Sequence, residues 1–289
     1  MNAKIFLLIY FILNSCGMKP DSDQLNLVMS SDPKSLDPAY ATDVNTGRLC
    51  ALLYDNLVRF GSGREIIPGL AKKWRISDNG LEYLFTLKDS IFFQSGDQLE
   101  CLDVKNSFER ILDPKIKSHR KWLFKHVIGV SEVSNTNTDI KGFTCLDSKN
   151  FQINLYKAFT PFLSFLAMPS ASIIKILDQG EITGTGPWKL DEWIHDGHIL
   201  FSKNSDYFDK APKIKRLKIR ILPEILPKTA EFITGYLDIM EVPESEFSIW
   251  ANDSNWQKSI KYQDDLNIFY LGLNCSRPPF NKLKVRQAM

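Results

Sequence analysis

The chain has 289 residues, 44% hydrophobic and 24% charged, which is enough apolar material for one large or two modest buried domains. Its 36 Lys and Arg nearly balance 34 Asp and Glu, and a net charge of +2 gives no reason to expect a nucleic-acid partner, since phosphate binding needs a concentrated basic excess. The 19 Phe, 9 Tyr and 6 Trp suit either a deep core or a ligand cleft.

The first residues carry an export signature. Lys4 precedes residues 5–13, all of them apolar or aromatic. A helix needs about 20 such residues to span a bilayer, so this run has instead the length of a signal-peptide hydrophobic region. It ends in Leu13-Asn14-Ser15-Cys16-Gly17, which resembles a lipobox: a leucine three positions before the cysteine, a small residue just before it, then a cysteine that is lipidated and becomes the new N-terminus. Asn14 departs from the usual pattern. The expectation is a signal peptide over 1–15, a lipid-anchored tether over 16–24 and a membrane held through Cys16. Plain secretion with Cys16 discarded is the alternative. Beyond it stand Cys50, Cys101, Cys145 and Cys275, which export would allow to pair. They form no Cys-x-x-Cys, so zinc and redox motifs are unsupported. Lone buried thiols are the simplest reading, and Cys101–Cys145 is the only pair worth testing.

Residues 25–29 alternate as a first strand. A loop with two Asp and two Pro follows, Ser30-Ser31-Asp32-Pro33-Lys34-Ser35-Leu36-Asp37-Pro38-Ala39. Leu49, Leu52, Leu53 and Leu57 form a helical stripe over 45–57, capped by Asn45 or Thr46. Ile66-Ile67-Pro68-Gly69-Leu70-Ala71 leads to Trp74, and Ser77-Asp78-Asn79-Gly80 marks a hairpin whose return strand carries Tyr83, Phe85 and Leu87. Residues 104–112 read as a helix stopped by Asp113-Pro114. Trp122 belongs either to a cavity wall or to the core, and the core is the commoner place for such a residue. Residues 151–155 alternate as a strand, and 162–168 are apolar enough to be buried.

The most informative stretch is 182–238. It runs from Gly184-Thr185-Gly186-Pro187-Trp188-Lys189-Leu190 through a hairpin turning at Asp196-Gly197, then the aromatic turn Asn204-Ser205-Asp206-Tyr207-Phe208. Leu217, Ile219 and Ile221 alternate with Lys218 and Arg220 as a strand, and Lys213 to Arg220 is its solvent face rather than a phosphate site. Pro223 stops that strand, Pro227 suits a first helical turn, 228–236 reads as a short helix and 237–240 as another strand. Further on, 244–250 reads as a short helix, 268–274 as a hydrophobic strand and 282–289 as a helix capped by Asn281.

This order of motifs resembles the oligopeptide/dipeptide-binding family, the extracytoplasmic solute-binding proteins of peptide and nickel ABC transporters. The matching pieces are Gly184 to Leu190, Asp206-Tyr207-Phe208, Arg220-Ile221-Leu222-Pro223-Glu224 and Gly235-Tyr236-Leu237-Asp238. Ser35-Leu36-Asp37-Pro38-Ala39 and Arg277-Pro278-Pro279-Phe280 also have family counterparts, whereas Ser205 stands where the family usually has proline. The resemblance implies an α/β fold with mixed α and β elements: the first lobe of a two-lobe periplasmic-binding-protein fold, class II and peptide-binding in type, with an inserted α+β subdomain. The boundaries expected are 25–55 with 166–267 for the first lobe, 56–165 for the insert, and 268–289 for a hinge strand and the start of a second lobe that this sequence lacks.

Function follows from the same resemblance. It implies capture of short peptides for an ABC permease, with binding weakened in a truncated or split form. The alternative is a membrane-anchored lipoprotein with a structural or surface role and no ligand. The ligand-contacting set implied is Ser31, Asp32, Pro33, Ser35, Trp122, Thr185, Gly186 and Asn274. No cofactor is expected. The histidines, His119, His126, His195 and His198, join no zinc pattern, and no nucleophile elbow or phosphate-binding glycine loop is present, so neither a resident metal nor catalysis is expected. A nickel ligand pair at His195 and His198 has only weak support.

Overall fold

The computed structural model describes residues 23–63, 65–134, 138–178, 180–262 and 270–289. The signal sequence, Cys16 and nearly all of the tether lie outside them. The chain divides into two compact units, Met1–Met240 and Glu241–Met289.

The first unit begins with β1 (Gln24–Met29), α1 (Val44–Leu53), β2 (Val58–Phe60), β3 (Ile66–Pro68), β4 (Ala71–Ile76) and β5 (Glu82–Leu87). Then come α2 (Cys101–Leu112), β6 (Phe143–Cys145), β7 (Asn150–Asn154), α3 (Phe162–Leu166), β8 (Lys175–Ile176) and β9 (Ile182–Thr183). It closes with β10 (Trp188–Ile194), β11 (His198–Lys203), β12 (Arg216–Ile221) and α4 (Ile225–Ile233).

One sheet has the order β1-β12-β11-β10. β12 runs parallel to β1, from Gln24 opposite Arg216 to Met29 opposite Ile221, and antiparallel to β11. The period-2 pattern decides which face is buried: Leu217, Ile219 and Ile221 point inward with Ile199 and Phe201. They meet Leu49, Cys50 and Leu53 of α1 and Trp188 of β10 in one core.

A second sheet, β4-β5-β7-β6, is antiparallel throughout. Its inner face packs Tyr83, Phe85, Leu87, Phe151 and Ile153 against Val104, Phe108 and Ile111 of α2. The Phe108 ring lies 4.8, 5.7 and 5.8 Å from those of Phe124, Phe143 and Phe151. This core draws mainly on residues 57–173, whereas the other draws on 29–54 and 174–221. α2 begins three residues before its apolar stripe, because Glu100 and Asp103 form a reciprocal capping box there. A disulfide, Cys101–Cys145, ties the start of α2 to the end of β6 across 44 residues. Cys50 is free and buried, and burial with help from Asp37 and Asp43 pushes its thiol up to about 12. Cys275 is free and exposed.

Several local expectations need correction. α1 is capped by Asp43, which accepts from the Thr46 N–H at 2.9 Å, rather than by Asn45 or Thr46. α4 starts at Ile225, before Pro227, since a first-turn proline lacks an N–H that would be unpaired there anyway. Residues 237–240 are not a strand. Asp238 instead makes a single rung on the outer edge of β1: its carboxylate accepts from the Asn26 N–H at 2.6 Å and from Nδ2 at 3.1 Å, and its own N–H donates to the Asn26 carbonyl at 2.9 Å.

The second unit holds α5 (Phe247–Asn252) and α6 (Leu283–Gln287), with a 3-10 turn at Glu244–Glu246 opening the expected 244–250 helix. Trp250 is buried, donates to Glu246 at 3.1 Å and lies 5.7 Å from the Trp256 ring. Of the expected strand at 268–274, residues 268 and 269 lie outside the described residues. Residues 270–274 form no strand; they lead into a turn in which the Asn274 side chain accepts from the Ser276 N–H at 3.0 Å.

Candidate functional site

The loop after β1 is held along its length by side chains from separate elements. Lys228 of α4 donates to Ser30 Oγ at 2.7 Å. Asn45 of α1 donates through Nδ2 to Ser31 Oγ at 2.9 Å and to the Ser31 carbonyl at 3.3 Å. At the end of β10, Trp193 Nε1 donates to Asp32 Oδ1 at 3.0 Å, and His195 Nδ1 pairs with Asp32 Oδ2 at 2.7 Å. Farther along, Asp37 caps the turn by accepting from the Ala39 N–H and takes both guanidinium nitrogens of Arg110. Burial works against the Arg110 charge, but the bonds from Asp37 outweigh it and hold the guanidinium more firmly protonated than usual. Ser118 Oγ donates to the Ala39 carbonyl at 2.6 Å, while Arg120 Nε and Ser170 Oγ donate to the Ala41 carbonyl at 2.8 and 3.0 Å.

Ser31 and Lys34 are exposed, Pro33 is buried and Ser35 half-buried, with its Oγ accepting from the Asp37 N–H at 3.0 Å. Among the described residues, the N–H groups of Ser31, Asp32 and Lys34 donate to no protein group. Exposed amides of this kind stay available to water or to a ligand carbonyl. Beside them is a cavity of about 250 Å³ lined by Ser31, Asp32, Lys34, Asp43, Val44 and Asn45. A larger one, about 730 Å³, is lined by Trp193 with Tyr54, Gln94 and Lys189 among others.

The structure gathers only part of the expected ligand set. Ser31, Asp32, Pro33 and Ser35 lie together in this loop. Trp122 lies on a 3-10 turn, Lys121–Phe124, that is tied to the loop through Arg120. Its ring meets the Phe165 ring at right angles with centroids 4.9 Å apart, the Arg120 guanidinium lies over it at 6.0 Å, and the residue is 39% exposed. Thr185 and Gly186 are interior. Thr185 is 1% exposed and donates to Asp55 at 2.9 Å, while Gly186 lies against the end of α1, its N–H bonded to the Leu53 carbonyl at 3.0 Å. Two glycines are needed there because a Cβ at Gly184 or Gly186 would run into the Leu53 backbone. Asn274 belongs to the second unit.

Sequence reasoning missed Asn45, Trp193, His195 and Lys228, whose roles depend on elements distant in the chain. His195 and His198 are not a matched pair: the first is on Asp32, the second on Glu192 at 3.1 Å. Among the described residues, no group of three or more His, Cys, Asp or Glu is placed to hold a metal. His126 sits between the Phe159 and Tyr156 rings, at 4.7 and 5.7 Å, and burial lowers its pKa.

Comparison with known proteins places this fold in a family. Residues 65–289 match the bacterial extracellular solute-binding proteins, family 5, and the chain belongs to that family. It is 26% identical over 256 residues to the nickel-binding periplasmic protein of Escherichia coli, covering 83% of this chain and 46% of that one. Among solved structures it resembles the periplasmic binding protein DppA of Helicobacter pylori in complex with the peptide STSA, at TM-score 0.70 and 28% identity over 80% of this chain and 49% of that one. The fold is also that of OppA from Burkholderia pseudomallei, at TM-score 0.80 and 19% identity, covering 93% and 56%. The chain thus spans about half the length of the curated relatives it matches.

Proposed function

We propose that this protein is the extracytoplasmic solute-binding component of an ABC importer and captures short peptides for a membrane permease. The observation that supports a peptide is the loop following β1. Ser30, Ser31 and Asp32 are bonded through their side chains to other elements, and the N–H groups of Ser31, Asp32 and Lys34 donate to no protein group. Such a loop reads an extended ligand by its main chain and is indifferent to its side chains. Trp122, 39% exposed beside the Arg120 guanidinium, adds apolar contact area near the Arg120–Ala41 tie. The domain reading that goes with this has a discontinuous first lobe over 25–55 and 166–267 carrying the insert 56–165. Export and attachment to a membrane through lipidated Cys16 complete the proposal, supported by the apolar run and lipobox-like pentapeptide.

Calorimetric titration with random tripeptide to pentapeptide mixtures tests it. Saturable heat is expected from mixtures of different side-chain composition, and nickel ion alone should give none. Heat with nickel and none with any peptide mixture would replace the peptide with a metal ligand.

A further inference from the structure

The Proposed function leaves unexplained why two aromatic side chains from the far end of β10 reach across to Asp32. β10 is the last strand of its sheet, and its register shifts between Leu190 and Glu192. A bulge inserts one residue and reverses the parity of every side chain beyond it. Before the bulge the inward residue is Trp188; after it, Trp193 packs against the same core. His195, two residues on, then shares the face of Trp193, and their ring centroids are 4.3 Å apart. The strand ends at once in a tight turn, with Asp196 at φ +56°. Bulge and turn together deliver one indole N–H and one imidazole nitrogen to the two oxygens of a single carboxylate, whose side chain is 16% exposed.

We propose that the end of the β10–β11 hairpin positions the ligand loop: Trp193 and His195 hold Asp32 from two directions so that the neighbouring N–H groups keep a fixed aim. Trp193 and His195 are positioning residues, and Asp32 is an anchor rather than a reader of ligand charge. Each Asp32 oxygen already takes a short hydrogen bond, so it offers a peptide amine little. His195 is 72% exposed, but its ring packs at a tilt against half-buried Trp193 and its partner is mostly buried, which separates the contact from a freely solvated surface pair. Because the loop also hangs from Asn45 and Lys228, losing the Asp32 anchor frees its centre without unfolding the sheet.

This inference rests on the peptide reading, and the test separates the two. Backbone ¹⁵N relaxation would be measured on the full chain for wild type, His195→Ala, His195→Asn and Trp193→Phe, alongside calorimetry with trialanine. Order parameters at Ser31, Asp32 and Lys34 should fall from about 0.85 to below roughly 0.6 in His195→Ala and Trp193→Phe, while amides of the β11–β12 ladder stay rigid. The asparagine variant places an N–H near the Nδ1 position, so it should restore the rigid values. Trialanine affinity should fall about tenfold in the first and third variants and recover in His195→Asn. An unchanged loop in His195→Ala, or a loosened loop with unchanged affinity, overturns the proposal. So does failure of His195→Asn to restore the loop while the ladder stays rigid. If wild type takes up no trialanine, the peptide reading fails for that ligand and the order parameters alone decide whether Trp193 and His195 set the loop.

Discussion

Thr185 donates its hydroxyl to the Asp55 carboxylate at 2.9 Å, joining the Gly-Thr-Gly-Pro turn to the end of α1 across 130 residues. The other Asp55 oxygen takes the Tyr207 hydroxyl at 3.0 Å. Burial raises the Asp55 pKa above its ordinary value, against the lowering pull of those two hydrogen bonds and of the Arg59 and Lys88 charges. A carboxyl whose folded pKa lies above its unfolded one contributes most below the unfolded value, and that contribution is lost as pH rises through the folded value. Denaturant titrations of wild type and Asp55→Asn from pH 4 to pH 7 should therefore show the stability difference moving in favour of the asparagine variant as pH rises. Movement in the opposite direction would mean that the carboxylate is favoured in the fold. Asp55→Ala, which leaves two buried hydroxyls without their acceptor, should cost about 2–3 kcal/mol near pH 4 and progressively less as pH rises.

The glycine turn has no room for a side chain. Gly186→Ala pushes a methyl into the Leu53 carbonyl and the Leu52 oxygen, both of them helix backbone that cannot move independently of α1. A loss of about 1–3 kcal/mol is expected. Gly96→Ala is a useful contrast, because a Cβ there meets nothing within 4 Å and its cost comes only from a φ of +95°. Urea midpoints for the two variants would compare steric and conformational penalties directly.

Reduction of Cys101–Cys145 releases a 44-residue loop. Chain-entropy reasoning puts the loss at about 4 kcal/mol, an upper figure if the reduced chain keeps residual structure. Cys101→Ser with Cys145→Ser should match the reduced wild type. A double variant with unaltered stability in oxidising buffer would show that the bond adds nothing.

Lipid attachment at Cys16 is tested by Cys16→Ser. Wild type expressed with its export signal should label with radioactive palmitate and partition into the detergent phase, whereas the serine variant should do neither. A variant that still enters the detergent phase would place the anchor elsewhere.

The elements legible in advance were those whose pattern is local. β12 shows its buried face in Leu217, Ile219 and Ile221, and the β10–β11 turn shows itself in Asp196-Gly197. Family motifs pointed to the fold, and in the Gly-Thr-Gly-Pro motif Thr185 and Gly186 meet a demand of the interior, where α1 packs against them. The residues that fix the loop carried no such mark. Asn45 looked like a helix cap until Asp43 proved to occupy that position. His195 looked like an ordinary surface residue, because a bulge in β10 is invisible to a period-2 pattern and Asp32 lies 163 residues earlier. Strand 237–240 failed for a related reason: an apolar alternation cannot reveal that Asp238 stops the pairing after one rung.

That single rung occupies part of the outer flank of β1. A bare outer flank on β1 would invite any extended chain nearby to zip onto it, the first step towards fibrous aggregates. Asp238 puts a carboxylate where an incoming strand needs a neutral carbonyl, at the Asn26 position within β1. One carboxylate thus obstructs strand addition at this edge, while β10 forms the other edge of the sheet.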